Sequence, residues 1–180
     1  MRSPIVSPNV RIRHPEHFHV GEGSIVDDFS YFSTRVVIGR FSHVASGCTV
    51  AGGVDRTFRL GDFSSLSAGV RIWCTSDDFA HDMVTIVPAG FPPIKEHVIT
   101  GDVTFERLTA VGANSVVMPD NHVPEGTVIG ALSFVPARFS FAPWTVYAGI
   151  PVRATGERDR AAVLRQAERF EAACKPSEGP

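Results

Sequence analysis

The chain is 180 residues long, the size of one domain with a real core, and its 20% charged and 43% apolar residues are ordinary for a globular protein. A net charge of −2 argues against nucleic acid or an anionic membrane surface as partners. No apolar run approaches the ~18 residues of a membrane span, the first residues (MRSPIVSPNVRIRHPEHF) lack a signal core, and Cys48, Cys74 and Cys174 are unpatterned, so a cytoplasmic protein is expected.

Residues 4–19 read as an irregular lead-in, in which Ile5, Val10 and Ile12 make at most a first, imperfect coil. His14, His17 and His19 match no zinc spacing, and Pro15 breaks any helix that would align their rings, so no metal site is expected there. From Val20 the sequence falls into blocks of six, VGEGSI, VDDFSY, FSTRVV, IGRFSH, VASGCT and VAGGVD, each opened by an aliphatic residue or Phe. Residues 56–59 interrupt the pattern, which resumes as LGDFSS, LSAGVR, IWCTSD and is interrupted again from Asp78 to Val98. A third run, from Ile99 to Val135, again places a slim residue four positions after each apolar one: Val103, Thr109, Ser115, Asn121, Thr127 and Ser133. A period of six is neither the 3.6 of a helix nor the 2 of a free strand. It is the signature of a parallel β-helix, whose short strands bury their apolar face only against the next turn. At ~18 residues per three-sided coil the blocks predict about five coils.

Assigning the blocks in turn to faces A, B and C puts both interruptions at one corner, from C to A, where loops sit over one another about a strand spacing or two apart. The loop 78–98, with its aromatic, Pro and apolar residues (Phe79 and Phe91 among them), is expected to pack, most simply against another copy of the chain. The last position of each block points outward, giving face B Tyr31, Thr49, Arg71, Ala110 and Val128, and face C Val37, Asp55, Asp77, Val116 and Phe134. Val116, Val128 and Phe134 then form an apolar patch, either an oligomer interface or a seat for the C-terminal tail. After Val135 the repeat degrades, and beyond Gly156 Val163, Leu164, Ala167, Phe170 and Ala173 fall on one helical stripe. That helix is expected to cap an open end of the solenoid. The domain reading is a β-helix over 1–155, with its lead-in 1–19 and loop 78–98, followed by a helix and tail over 156–180.

The blocks resemble those of the hexapeptide-repeat acyltransferases. Over about residues 20–155 the match is carried by VGANSVVMPDNHVPEGTVIGALSFV and PWTVYAGIPVRATGER, which are similar to bacterial sugar O- and N-acetyltransferases of polysaccharide and O-antigen biosynthesis. The resemblance implies an all-β left-handed parallel β-helix with an external loop and a C-terminal α-helix. It also implies a homotrimer that holds acetyl-CoA as co-substrate, without a metal, in a groove between two prisms. The acceptor it implies is a hydroxyl or amine of a sugar or nucleotide-linked amino-deoxy sugar.

By the same resemblance Ala113 in VGAN and Ala131 in IGAL line the pantetheine arm, and Arg153 in AGIPVRA meets the CoA phosphates, guanidinium being suited to phosphate. Arg138 stands near the place of a threonine-lysine pair found in many galactoside-type members. The general base is left open. Where galactoside- and maltose-type members have a catalytic histidine, RIWCTSDDF aligns Asp77, and where the amino-sugar branch has one, this chain has Thr34. Histidine and carboxylate side chains near the corners remain: His43, Asp77 and His81 as acid–base candidates, with Asp78 and Trp73 as substrate contacts. An amine acceptor is already nucleophilic when neutral, so the missing histidines favour N-acylation. Two other readings stand beside this one. A non-catalytic β-helix scaffold would bind no acyl-CoA, and a γ-type carbonic anhydrase would need three histidines meeting on zinc. His122 is placed on the face of His43 but three coils away, too far to meet it.

Overall fold

The computed structural model describes residues 2–83 and 94–174, and Phe91 lies outside them. The period of six becomes a three-walled parallel β-helix because the apolar residues that open the wall-forming blocks turn inward. Val26, Phe32, Ile38, Leu66, Ile129 and Val135 are at most 2% exposed. Each such burial is worth about 1.5–3 kcal/mol relative to leaving the side chain in water.

The slim residue four places on is explained by hydrogen bonds between turns. The Ser42 amide donates to Ser24 Oγ (2.9 Å), Ser64 N to Ser42 Oγ (3.1 Å), and Thr109 N to Ser64 Oγ (3.0 Å). The hydroxyls in turn donate to carbonyls such as Gly39 and Gly61. A ladder of buried hydroxyls therefore climbs one corner, satisfying backbone groups that the tight turns would otherwise strand away from water. Cys48 continues a second such column as a core residue, its amide bonded to Ser30 Oγ. Burial pushes its thiol up to about 11.

Among the described residues face A is an eight-stranded sheet: seven parallel strands from Ile5–Val6 to Thr145–Gly149, then the antiparallel strand Val152–Glu157. Face B stacks Arg11, Tyr31, Thr49, Arg71, Val116 and Phe134, and face C stacks His19, Val37, Arg59, Thr104 and His122. This makes about seven turns where the blocks predicted about five. The lead-in supplies a whole turn, in strands Ile5–Val6, Arg11–Ile12 and Phe18–Val20. Its first two strands lie 20 residues before their partners, Ile5 before Ile25 and Arg11 before Tyr31, against 18 for Phe18–Val36 and Ser24–Ser42, so they fall out of the hexapeptide phase. Thr145–Gly149 adds the last turn on face A.

The register also corrects the assignment of faces. Ala110 and Val128 lie on face A with His43 and Ser65, and Val116 and Phe134 lie on face B. Asp55 and Asp77 occupy no face-C position, because Arg59 and Thr104 do. Ile99 is not a wall residue either: Val98–Thr100 pairs antiparallel with Thr75–Asp77 as a hairpin outside the prism. The long insertion thus displaces one block, which shifts every later residue to the preceding face. Val116, Val128 and Phe134 accordingly form no single patch and are all half-buried. His122 does not share the face of His43.

Both insertions do leave by one corner, from B to C rather than from C to A, and they touch. Arg56 Nε donates to Thr100 Oγ1 (2.6 Å) and the Thr57 amide to Asp102 Oδ1 (2.9 Å).

The C-terminal helix, Arg160–Cys174, does not cap an end of the column. Arg158, just before it, donates to the carbonyls of Leu108 and Gly126 in late turns, whereas Phe170 packs edge-on against Phe41 and Phe63 in early ones, at 5.0 and 5.8 Å between ring centres. The helix therefore runs back along the C-to-A corner. Its partners there, Phe41, Phe63 and Leu108, stand at turn positions of positive φ, from 53° to 62°, which aim their side chains off the prism. Among the described residues no helix is long and apolar enough to cross a membrane.

Candidate active site

The B-to-C corner is where the fold stops being regular, and carboxylates gather there. Arg71–Trp73 ends the face-B wall and Thr75–Asp77 leaves the prism to pair with the returning limb Val98–Thr100. Trp73, Thr75, Ser76, Asp77, Phe79 and Met118 line an open cavity of about 430 Å³ beside this hairpin. Asp77 reaches it from the hairpin's end. Its Oδ1 accepts a hydrogen bond from Lys95 Nζ, a side chain only 17% exposed, on the returning limb.

Further out, Asp78 Oδ2 is 2.9 Å from His81 Nδ1. The hydrogen bond from His81, then that from the Ala80 amide, holds the Asp78 carboxyl below the usual carboxylate range. Asp82 is held low in the same way, first by the His97 amide. Its Oδ2 accepts the amides of Glu96 (2.7 Å) and His97 (2.9 Å), which ties the two limbs together. The rings of His81 and His97 lie 5.9 Å apart.

The A-to-B corner is built differently. Here the turns stack small residues: the Leu132 amide bonds to the Ala113 carbonyl (2.9 Å), and Asn114 N to the Ala68 carbonyl (3.0 Å), so Ala68, Ala113 and Ala131 form one column. A Cβ on Gly112 would stand 2.3 Å from the Ala131 amide, which shows how closely the turns approach. The amides of Ala113 and Ala131 donate to no partner among the described residues. Arg153 is opposite Ala148 on the last hairpin, one turn beyond Ala131, so Ala113, Ala131 and Arg153 share a region. Arg138 does not join them. It sits at the B-to-C corner with φ 58°, its Nε bonded to Asp120 Oδ2 (2.9 Å).

His43 projects from face A near the small-residue corner, and its Nε2 lies 2.8 Å from Asp27 Oδ2. A carboxylate fixing one ring nitrogen leaves the other to exchange a proton. The carboxylate is Asp27, not Asp77. Within one chain His43 and Asp77 stand at different corners. Thr34 has a purely structural partner set, donating to the carbonyls of Gly53 (2.9 Å) and Arg56 (2.6 Å) to pin the first insertion. His122 pairs with Glu106 (2.8 Å) on face C, away from both corners.

Two residues escaped the reading of the sequence. Asp27 precedes His43 by 16 residues, nearly one turn, a spacing that was legible. Lys95 lies in the loop, where no period predicts a contact.

No protein-family model matches the chain. A curated relative, the dTDP-4-amino-4,6-dideoxy-D-glucose acyltransferase of Escherichia coli, is 27% identical over 166 residues, 86% of this chain and 82% of the relative. The structure of AntD, an N-acyltransferase from Bacillus cereus in complex with dTDP and 3-hydroxybutyryl-CoA, matches with a TM-score of 0.82 and 28% identity over 96% of this chain and 89% of its own. The hexapeptide-repeat containing acetyltransferase VCA0836 from Vibrio cholerae shares the fold, with a TM-score of 0.62 and 17% identity over 80% and 76% of the two chains.

Proposed function

We propose that this chain is a hexapeptide-repeat sugar acyltransferase that moves an acyl group from a CoA thioester to the amine of a nucleotide-linked amino-deoxy sugar. The observation that carries the reading is the match, over nearly the whole chain, to two acyltransferases, one named for a dTDP-linked amino sugar and one solved with dTDP and an acyl-CoA. The site chemistry agrees. A carboxylate lines the cavity at the corner where the sequence resemblance would place a histidine, and an amine asks for orientation more than for a strong base.

In the proposed reaction the amine lone pair attacks the thioester carbonyl carbon. The C–N bond forms, the C–S bond breaks, and the amine's proton ends on the departing sulfur, so that an amide and CoA thiol are released. Asp77 accepts an N–H of the acceptor and aims its lone pair. Trp73 offers an apolar wall to the sugar, and Asp78 with His81 borders the entrance. The unused amides of Ala113 and Ala131 suit the carbonyls of the pantetheine arm, with Arg153 toward the phosphates and Arg138, already engaged by Asp120, at the rim.

A homotrimer brings the small-residue corner of one copy against the insertion of the next, adding the His43–Asp27 pair as an acid–base relay. The acyl group is taken as acetyl, as in the sugar acetyltransferases that the motifs resemble, with the product serving polysaccharide or O-antigen assembly.

The test is thiol release by purified protein from acetyl-CoA and from 3-hydroxybutyryl-CoA, against dTDP-linked amino sugars and their hydroxyl counterparts. Turnover confined to the amines is expected. Turnover on hydroxyls alone overturns N-acylation, and no turnover together with no rise in melting temperature on adding either acyl-CoA overturns the enzyme.

A further inference from the structure

We infer that Lys95 is the positioning residue of the acceptor site: it holds Asp77 so that one carboxylate oxygen is consumed by the lysine and the other faces the amine. The inference rests on the acyltransferase reading and deepens it. Lys95 Nζ donates to Asp77 Oδ1, while Asp77 Oδ2 has no hydrogen-bond partner among the described residues. Asp77 lines the cavity with Trp73, Phe79 and Met118, three apolar walls that favour keeping a charged pair together.

A purely structural duty for the pair is already covered. The two limbs of the insertion are joined by the ladder Thr75–Thr100, Ser76–Ile99 and Asp77–Val98, and Asp82 ties down the amides of Glu96 and His97 on either side of the next peptide. The backbone at Lys95 is therefore held by its neighbour's amide, and its side chain is left to act on Asp77. The lysine side chain is 17% exposed and the carboxylate 35%. A carboxylate on so short a side chain turns about a last torsion that is broad and roughly two-fold, so unrestrained it has several orientations open to it. Fixing Oδ1 selects the one that presents Oδ2, and misplacement of a contact by about 1 Å costs on the order of 100-fold in rate.

The pair also sets specificity. An acceptor N–H can donate to Asp77 Oδ2, and a sugar amine brings at least one hydrogen to spare once its lone pair points at the thioester. A hydroxyl that donates its single hydrogen there keeps its lone pairs for attack but has no second donor to fix its rotation, so the site favours amines.

The experiment compares Lys95→Met, Lys95→Arg, Asp77→Asn and the double variant Lys95→Met/Asp77→Asn, with Arg107→Ala as a control for loss of an exposed cation, since Arg107 pairs at 3.6 Å with Glu125 far from the cavity. Lys95→Met is expected to lower kcat on the amino sugar about 30- to 100-fold, with KM for the acyl-CoA within about twofold. Lys95→Arg is expected to recover most of that loss. In the Asp77→Asn background the same Lys95→Met change is expected to cost less than about threefold, because the lysine acts only through that carboxylate.

Equal losses in both backgrounds, or Lys95→Met within threefold of wild type, overturn the inference. Should Lys95→Met lower the melting temperature, Lys95→Arg decides the matter: a folded arginine variant as slow as the methionine one also overturns it. Failure of the underlying reading looks different, since wild type itself would then acylate no amino sugar.

Discussion

His43–Asp27 and Lys95–Asp77 are two hydrogen-bonded pairs beside the corners where chemistry can happen, and they differ in what surrounds them. The histidine pair stands on a flat wall of the repeat, 49% and 40% exposed, between Ile25 and Ser65. The lysine pair stands outside the repeat, 17% and 35% exposed, beside a cavity. A regular prism spaces the exposed side chains of each wall about 4.8 Å apart and points them outward in parallel, so by itself it makes walls and grooves. Convergent groups arise only where the chain leaves the repeat. An exposed pair such as His43–Asp27 is worth about 0–1 kcal/mol to the fold, and the two pairs differ above all in access to the reacting atoms.

The largest expected effect is at the cavity. Asp77→Ala is expected to reduce kcat about 1000-fold on an amino-sugar acceptor while leaving KM for acyl-CoA nearly unchanged, as measured by thiol release at saturating acceptor. His43→Ala comes next, at about 100-fold, the scale for losing an acid–base group. A loss under about threefold would assign the Asp27–His43 pair to structure and leave transfer to the insertion corner alone. The two variants also sharpen the comparison together. If one site draws His43 from one copy and Asp77 from the next, dissociating and mixing the two inactive variants restores partial activity, because some interfaces then carry both intact groups. Additive inactivity of the mixture would place each group in a site made by one chain.

The same contrast explains which features of the fold are legible in the sequence. The walls were legible because burial repeats: Val26, Val44 and Leu66 all turn inward on face A, and each hydroxyl beneath them bonds the next turn. The register across the long insertion was not, since nothing in its length tells how many blocks it replaces. Counting Ile99 as a wall residue moved Ala110 to the wrong face, although Thr109 on the ladder of Ser42 and Ser64 carried the signal that would have set it right. The first turn was half-legible, in Ile5 and Ile12, its spacing stretched out of phase. At the site, Asp77 was legible through a motif in which it stands for a histidine. Lys95 was not, because a contact between two limbs of an irregular loop leaves no periodic trace. The pairing of Arg138 with Asp120, two positive-φ residues one above the other, likewise separates it from the alanine column it was grouped with.

The smallest effect is silent at neutral pH and concerns how the two regions come apart. Asp78 and Asp82 are the carboxylates at the insertion whose pKa values are pulled down, by His81 with the Ala80 amide and by the His97 amide first, from an ordinary 3.8. A carboxyl lowered in the folded state binds its proton less tightly there than in the open one, so its stabilising contribution is complete above 3.8 and fades as pH falls through the lowered value. Protonating Asp82 removes the negative charge that strengthens its bonds to the amides of Glu96 and His97, whereas the ladder of Ser24, Ser42 and Ser64 contains nothing that titrates in that range. Amide hydrogen exchange should therefore show Glu96 and His97 losing protection as the solution is taken below pH 3.8 while Ser42 and Ser64 keep theirs. Loss of protection at both places in one step would mean that the insertion and the prism open as a single unit, and the division of labour between them would then be chemical only, without a thermodynamic boundary.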